Sequence, residues 1–159
     1  GGGEESRTRK AGRGGTSEIT IVGNVGGTRL GAVAGTSGDV VAFQGAGTQQ
    51  VDSLLVTAST STTFTGNVNV TNGVSLASGA GNVSFLNGLT TGAASSFVNT
   101  GTLQLGDNVL DSSSINTGLT HTAGPTKLGG TIASEAITLG AVTLAGNTKL
   151  ENSAAHSDI

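Results

Sequence analysis

Two kinds of side chain in this sequence have the chemistry of a reactive site: the histidines and one local group of oxygen donors. The histidines are His121 and His156, and neither has a second histidine or a group of acids at the spacing of metal ligands. His121 lies in the strand-like run LTHT (119–122), where alternate residues face outwards. We therefore interpret His121 as a surface residue, and His156, in the polar string SAAHSDI, as part of a frayed end.

The oxygen donors are Asp107, Asn108 and Asp111, in the string GDNVLDSSS. Calcium binds about six to eight oxygens, and the string matches neither an EF-hand loop nor the calcium-binding repeat GGxGxD. Aspartate and asparagine in turns commonly accept hydrogen bonds from nearby backbone amides. The string therefore predicts a turn that caps its own backbone, with calcium binding as the alternative.

The other charged residues of the central chain are isolated from one another. General acid–base chemistry, including polysaccharide cleavage, needs acids or basic residues grouped on one face. Four of the candidates are single and scattered, namely Arg29, Asp39, Asp52 and Lys127. The sequence also lacks the GxSxG, Walker and GxGxxG motifs. We expect no catalytic, cofactor-binding or metal-binding residue, and we interpret the chain as a protein that is not an enzyme and needs no cofactor.

The composition favours a folded chain of short strands. Charged residues make up 11% of the 159 residues, against about 25% in typical domains, whereas disordered chains are usually rich in charge. The 28 glycines and the many Thr, Ser, Asn and Val residues suit tightly stacked strands joined by turns. The net charge of −3 offers no attraction to nucleic acid, and no apolar run is long enough to span a membrane.

The distribution of residue types along the chain predicts three segments. Residues 1–17 hold six charged residues and no large apolar side chain, so they are predicted to be a disordered linker or tail, with a basic arm as the alternative. Residues 18–152 are predicted to be one domain, and residues 153–159 a frayed tail. Because the chain begins Gly-Gly-Gly without an initiator Met, we interpret it as a fragment of a larger protein.

The central segment reads as many strands of three to five residues bounded by Gly or Asn-Gly. The best helix candidate is Ile132–Leu139, but its last three residues, Ile137-Thr138-Leu139, favour a strand. The predicted strands are Glu18–Val22, Val40–Phe43, Ser53–Thr57, Thr62–Thr65, Val68–Thr71, Val74–Ala77, Asn82–Leu86, Ser96–Val98, Thr102–Leu105, Leu119–Thr122, Ile137–Leu139, Val142–Leu144 and Thr148–Leu150.

A repeat of about 21 residues emerges when the chain is written in rows of that length. The register fails in the sixth row, where Gly106 and Gly118 fall at apolar positions and a one-residue insertion or deletion would restore it. The aligned columns are Val22, Phe43, Phe64 and Phe85; Leu55, Leu76, Phe97 and Leu139; Val68, Leu89 and Leu110; Val41, Thr62 and Val83; and the turn pair Gly45 and Gly66.

Such a period is typical of a β-solenoid. Each coil pairs its strands with the coils above and below at about 4.8 Å, so that like side chains stack inside a narrow core. Few apolar residues per coil then suffice. We predict an all-β fold, a right-handed parallel β-helix of about six coils of 20–21 residues.

Three segments resemble the repeats of filamentous-haemagglutinin-type adhesins and autotransporter passenger domains. They are FTGNVNVTNGVSL (64–76), GTLQLGD (101–107) and GGTIASEAITLGAVTLAGNTKLEN (129–152). The resemblance covers roughly residues 40–152. It implies a right-handed parallel β-helix displayed outside the cell, and it brings no catalytic residue because the stalk repeats of that family carry none.

The expected function is a structural or adhesive stalk segment of a secreted or cell-surface adhesin. Its expected partner is a host, neighbouring-cell or matrix surface, with no nucleic acid and no membrane-spanning segment. A solenoid cut at both ends also exposes its terminal strands, so end-to-end self-association is a further expectation. The alternatives are a carbohydrate-active β-helix enzyme and an ice-binding module, the latter suggested by the pairs Thr100/Thr102 and Thr120/Thr122.

Overall fold

A computed structural model describes residues 40–152 in full and the backbone of three earlier strands, Ser6–Ala11, Ser17–Val22 and Leu30–Gly35. Over these ranges the chain is all-β, without a helix, and its strands stack into a β-solenoid of about six turns. The predicted fold class is confirmed, while the right-handed sense of the coil stays a prediction. No helix of the described residues is both long and apolar enough to cross a membrane.

The described ranges contain the following strands, numbered along the chain. They are β1 (Ser6–Ala11), β2 (Ser17–Val22), β3 (Leu30–Gly35), β4 (Val40–Phe43), β5 (Gln49–Ala58), β6 (Ser61–Phe64), β7 (Val68–Val70), β8 (Val74–Gly79), β9 (Asn82–Phe85), β10 (Leu89–Thr91), β11 (Ser96–Phe97), β12 (Leu103–Leu105), β13 (Ser112–Ile115), β14 (Leu119–His121), β15 (Thr126–Ser134), β16 (Ile137–Leu139) and β17 (Val142–Asn152).

Three parallel sheets run along the solenoid, and most coils contribute one strand segment to each of them. Sheet A consists of β2, β4, β6, β9, β12, residues 126–128 of β15 and residues 142–144 of β17. Sheet B consists of residues 49–51 of β5, then β7, β10, β13, residues 131–134 of β15 and residues 148–152 of β17. Sheet C consists of residues 54–58 of β5, then β8, β11, β14 and β16.

Two early strands extend this arrangement. β3 pairs in parallel with both halves of β5, and β1 pairs antiparallel with β2. β1 lies within residues 1–17, the segment predicted to be a linker. Residues 1–5, residues 12–16 and the predicted tail 153–159 lie outside the described residues.

The core is a set of side-chain columns along the axis. The aromatic column predicted in sheet A is confirmed for its three phenylalanines: Phe43, Phe64 and Phe85 are in register and buried, with ring centroids 4.4 Å and 5.0 Å apart and nearly parallel planes. Its first member was wrong by one residue, since Ile21 and not Val22 pairs with Phe43. Stacked rings of this kind contribute beyond the area they bury.

Two other columns needed correction. Val56, not Leu55, is in register with Leu76, and the side chain of Leu55 is exposed. The run Leu54-Leu55-Val56 is apolar at every position, so periodicity alone could not tell which two residues face inwards. The pairings of Leu76 with Phe97 and of Thr62 with its two valine neighbours are confirmed.

The third column departs from the prediction at its last member. Val68 pairs with Leu89 as predicted, but Leu110 is 89% exposed, and the hydroxyl of Ser113 instead accepts the backbone N–H of Leu89 at 3.1 Å. The failed register in the sixth row therefore marks an outward loop, residues 106–111, that lengthens one coil.

The coils are unequal in length because of that loop and of a tighter final turn. Along the column of Phe43, Phe64, Phe85, Leu105, Leu128 and Leu144, successive pairs are separated by 21, 21, 20, 23 and 16 residues. A strict period of 21 therefore holds only for the first three coils of this column.

Close stacking of turns fixes where glycine is needed. A Cβ on Gly66 would lie 2.6 Å from the carbonyl oxygen of Gly45, which agrees with the turn column predicted for these two residues. Gly88 has a φ of 107°, and a Cβ there would lie 2.0 Å from the carbonyl oxygen of Ser112. Both positions bring backbones of adjacent coils closer than any side chain allows.

Candidate functional site

His121 lies in the core and not on the surface, so its predicted exposure is wrong. Its exposed fraction is 0%. Buried and exposed residues alternate along its strand: Leu119 is also buried, and Thr120 between them is exposed. Residues two apart in a strand share a face, so a histidine two positions after a core leucine points inwards. The sequence alone could therefore have predicted the orientation of His121, because the core leucine of LTHT and the histidine two residues later lie on the same face of the strand.

Both ring nitrogens of His121 have buried partners. Nε2 lies 2.9 Å from the backbone carbonyl of Asn99, and Nδ1 lies 2.8 Å from the hydroxyl of Thr126. A carbonyl oxygen only accepts, so in the neutral ring Nε2–H donates to Asn99 and Nδ1 accepts the Thr126 hydroxyl. These two bonds compensate the cost of placing an imidazole in the core.

This cluster sits where sheet C is interrupted. Ladder pairing in that sheet runs from β5 to β11 and again from β14 to β16, and these two parts form separate sheets in the described chain. The His121 side chain spans the interruption through its bond to Asn99. The ring thus takes the place of a backbone ladder bond between the two parts of the sheet.

Asn99 completes the polar cluster. Its side chain is fully buried, and its Nδ2 donates to the carbonyls of Gly81 at 3.0 Å and Gly101 at 3.3 Å, while its Oδ1 has no hydrogen-bond partner in the structure. The amide therefore ties together turns of successive coils. Because the cluster is sealed from solvent, its geometry fits a structural role and leaves no opening for a substrate.

Asp111 caps the loop at residues 106–111, and this confirms the turn that the sequence predicted. Its Oδ2 accepts the backbone N–H of Asp107 at 2.8 Å and that of Asn108 at 2.7 Å. Asn108 Oδ1 accepts the N–H of Leu110 at 3.1 Å. Two side-chain oxygens of the cluster, Asp111 Oδ2 and Asn108 Oδ1, thus accept hydrogen bonds from the backbone of the loop itself.

The same loop sets the ionisation of Asp107. Partial burial raises the pKa of Asp107 above its ordinary value of 3.8, and the nearby carboxylate of Asp111 raises this pKa further through repulsion and a side-chain hydrogen bond. A backbone hydrogen bond to the Asp107 carboxyl and the charge of Lys127 lower this pKa, but the net shift is upwards.

The remaining candidates do not come together. Across residues 40–152 no three His, Asp or Glu side chains are grouped as metal ligands. Asp52 lies just after the sheet B segment of β5, whereas Lys127 lies on sheet A. Arg29, Asp39 and His156 lie outside the described residues.

The surface feature that the sequence did not reveal is the outer face of sheet C. The sheet C segments between residues 54 and 139 contain no charged residue, and their outward positions carry small hydroxyl or aliphatic side chains. Leu55 and Val98 are about half exposed there, and the register aligns Leu55 with Ser75 and Ser96. The strand segments were predicted, but the error at Leu55 hid which residues share this face.

Comparisons with protein-family models, with curated proteins and with solved structures found no match for this chain.

Proposed function

We propose that this chain is a structural and adhesive stalk segment of a secreted or cell-surface adhesin. The observation that supports the proposal is the continuity of sheet A, in which seven strand segments from β2 to β17 pair in register, over a column that is buried from Phe43 to Leu128. Sheets A and B hydrogen-bond each described coil to the next, so a load along the axis is shared by two continuous parallel ladders and, in part, by sheet C.

The core column adds stiffness to this stack. Phe43, Phe64 and Phe85 form one continuous aromatic stack through three coils. A rod whose interior is packed in this way keeps its length, since protein interiors have low compressibility. A stalk needs this property in order to hold a binding surface at a fixed distance from the cell.

The outer face of sheet C is the adhesive surface in this proposal. It is uncharged and bears the aliphatic side chains of Leu55 and Val98 among hydroxyl groups such as that of Ser75. Contact with a host, neighbouring cell or matrix there would cost little desolvation, because no ion has to lose its water. The repetition along the axis lets many weak contacts add up.

Bead adhesion tests the proposal. Beads coated densely with the chain are applied to epithelial monolayers and to a basement-membrane gel, and retention under flow is counted. We expect retention above that of uncoated beads. Ser75→Asp, which places a carboxylate on sheet C, should lower retention about tenfold, because the new charge would be desolvated in the contact.

The matched control is Ser114→Asp, which introduces the same carboxylate at an exposed position of sheet B. It should leave retention unchanged, and circular dichroism should show both variants folded. Retention equal to that of uncoated beads on both surfaces would contradict the adhesive role. Equal losses in the two variants would contradict the assignment to sheet C.

A further inference from the structure

The last described coil leaves core-facing apolar side chains uncovered. Three residues of β17 continue inward-facing columns and are still about half exposed: Val142, Leu144 and Leu150. Leu150 is 54% exposed, whereas Ile132, its register partner one coil below, is fully buried. The difference arises because β17 pairs with β15 alone among the described strands.

The outer side of the same edge carries one charge of each sign. Lys149 and Glu151 flank Leu150, and the Lys149 Nζ lies 2.5 Å from the Glu151 Oε1, with both side chains well exposed. Since successive residues of a strand alternate between faces, both charged side chains point away from the core while Leu150 points towards it.

This pattern is complementary to itself. If two copies of β17 pair antiparallel with Leu150 opposite Leu150, then Lys149 of each copy stands opposite Glu151 of the other. Residues related by this register have the same parity, so both leucines stay on the core side and all four charges stay outside. Opposite charges directly across a strand pair are stabilising, and like charges are destabilising.

We propose that two copies of this chain associate through their β17 ends, about a two-fold axis that passes midway between the two Leu150 residues. A two-fold interface must be complementary to itself, and the sequence Lys149-Leu150-Glu151 meets this condition. The same axis places residues 142–144 of one copy over β16 of the other, which covers Ile137 and Leu139, both of them only partly buried at this end of the core.

The described strands at the opposite end of the solenoid have different edges: in sheets B and C the edge is β3, with the uncharged sequence LGAVAG. There the edge of sheet A is β1, with the sequence SRTRKA and three basic residues, Arg7, Arg9 and Lys10. Edge strands rich in Lys and Arg resist pairing with another strand. The described edges of the two ends are therefore unlike, because β1 is basic and β3 has no charged residue to pair with Lys149 or Glu151, and we expect a dimer instead of a head-to-tail filament.

Sedimentation equilibrium of the full chain, from about 1 μM to 1 mM, tests this dimer over the affinities expected for a small interface. We expect a monomer–dimer equilibrium. Lys149→Glu and Glu151→Lys should each raise the dissociation constant at least about tenfold, because each places like charges opposite one another. The double swap Lys149→Glu with Glu151→Lys should restore it, and mixing the two single variants should yield a heterodimer.

Asp52→Lys is the control for Glu151→Lys, since Asp52 lies on β5, which is separated from β17 by β7, β10, β13 and β15 in sheet B; it should leave the equilibrium unchanged. Leu150→Asp should give a monomer that keeps the β-type spectrum.

Several results would overturn the proposal: a monomer at every concentration, a dimer that ignores charge reversal at 149 and 151, or oligomers that grow beyond two. A chain that dimerises only after residues 153–159 are removed would also overturn it, because those residues and not a second copy would then occupy the end face. Each of these readouts is independent of bead adhesion.

Discussion

At the scale of single residues, Phe64 links three coils. Its ring is buried between those of Phe43 and Phe85, at centroid distances of 4.4 Å and 5.0 Å. Removing it leaves a cavity bounded by two rings that are held by their own ladders and cannot collapse into the space. The loss of stability on removing the ring therefore has two parts: the lost free energy of burying the ring and the free energy cost of the cavity that remains.

We predict that Phe64→Ala lowers the free energy of unfolding by about 3–5 kcal/mol. Urea titration followed by circular dichroism measures this loss. Leu110→Ala is the control, because the leucine side chain is 89% exposed in the loop and its truncation should change stability by less than about 0.5 kcal/mol. A loss below about 1 kcal/mol for Phe64→Ala would contradict the packing described for the column.

Asp107 gives a prediction with a defined sign in pH. Its pKa in the folded chain lies above the ordinary value of 3.8, first because of burial and then because of Asp111. The folded state therefore binds the proton more tightly than the unfolded state, and this contribution to stability is present at low pH and is lost as pH rises through the raised pKa.

Asp107→Asn removes that dependence. Relative to the wild type, we expect the variant to become more stable as pH rises from about 3.5 to 7, with a small effect because the side chain is largely exposed. Thermal unfolding midpoints of both proteins across this range measure the difference. A variant that loses stability relative to the wild type as pH rises would contradict the assigned direction.

At the scale of elements, the turns between strands decide how closely the coils stack. Gly88 combines a φ of 107° with backbone contact, since a Cβ there would lie 2.0 Å from the Ser112 carbonyl oxygen. Gly118 is a matched contrast, because the nearest atom to its added Cβ is the Ala136 carbonyl oxygen at 3.7 Å.

We predict that Gly88→Ala lowers the free energy of unfolding by at least about 2 kcal/mol, whereas Gly118→Ala changes it by less than about 1 kcal/mol. The reason is that β10 and β13 must separate to admit the methyl group at residue 88. Urea titration of the two variants in parallel measures both losses. Equal losses would mean that the contact at Gly88 does not limit the stacking.

The elements also show what the sequence could predict. Sheet A was found because its inward residues are large, so a repeat of 21 was visible in three phenylalanines. Sheet B was largely missed: β10, β13 and β15 were not among the predicted strands. The string Ser112-Ser113-Ser114 has low strand propensity, and Gly129-Gly130 inside β15 reads as a turn. Pairing with neighbouring coils overrides both local signals.

The candidate site was less predictable than the fold. The capping role of Asp111 could be predicted, because Asx turns are local in sequence. The partners of His121 could not, since Asn99 lies 22 residues away on another coil and pairs with it only where sheet C is interrupted. The loop at 106–111 shifted the register that would have aligned these two residues.

At the scale of the whole molecule, the central claim is that the chain is a stiff rod whose length follows the number of coils. Outward positions of sheet A are in register from Ala42 to Thr143 through Thr63, Ser84, Gln104 and Lys127. Five ladder steps of about 4.8 Å separate the ends of this row, or roughly 24 Å. Residues 65–85 form one repeat of 21, so duplicating them should add one coil and a fourth ring to the phenylalanine stack.

The most direct test uses spin labels at Ala42→Cys and Thr143→Cys, which are specific because the chain has no other cysteine. Double electron–electron resonance should give one narrow distance distribution near the spacing of five ladder steps, after allowance for the label arms. Duplication of residues 65–85 should lengthen the mean distance by about 4.8 Å without broadening it. A broad distribution, or a mean distance that the duplication leaves unchanged, would contradict the account of this chain as a rigid stalk of stacked coils.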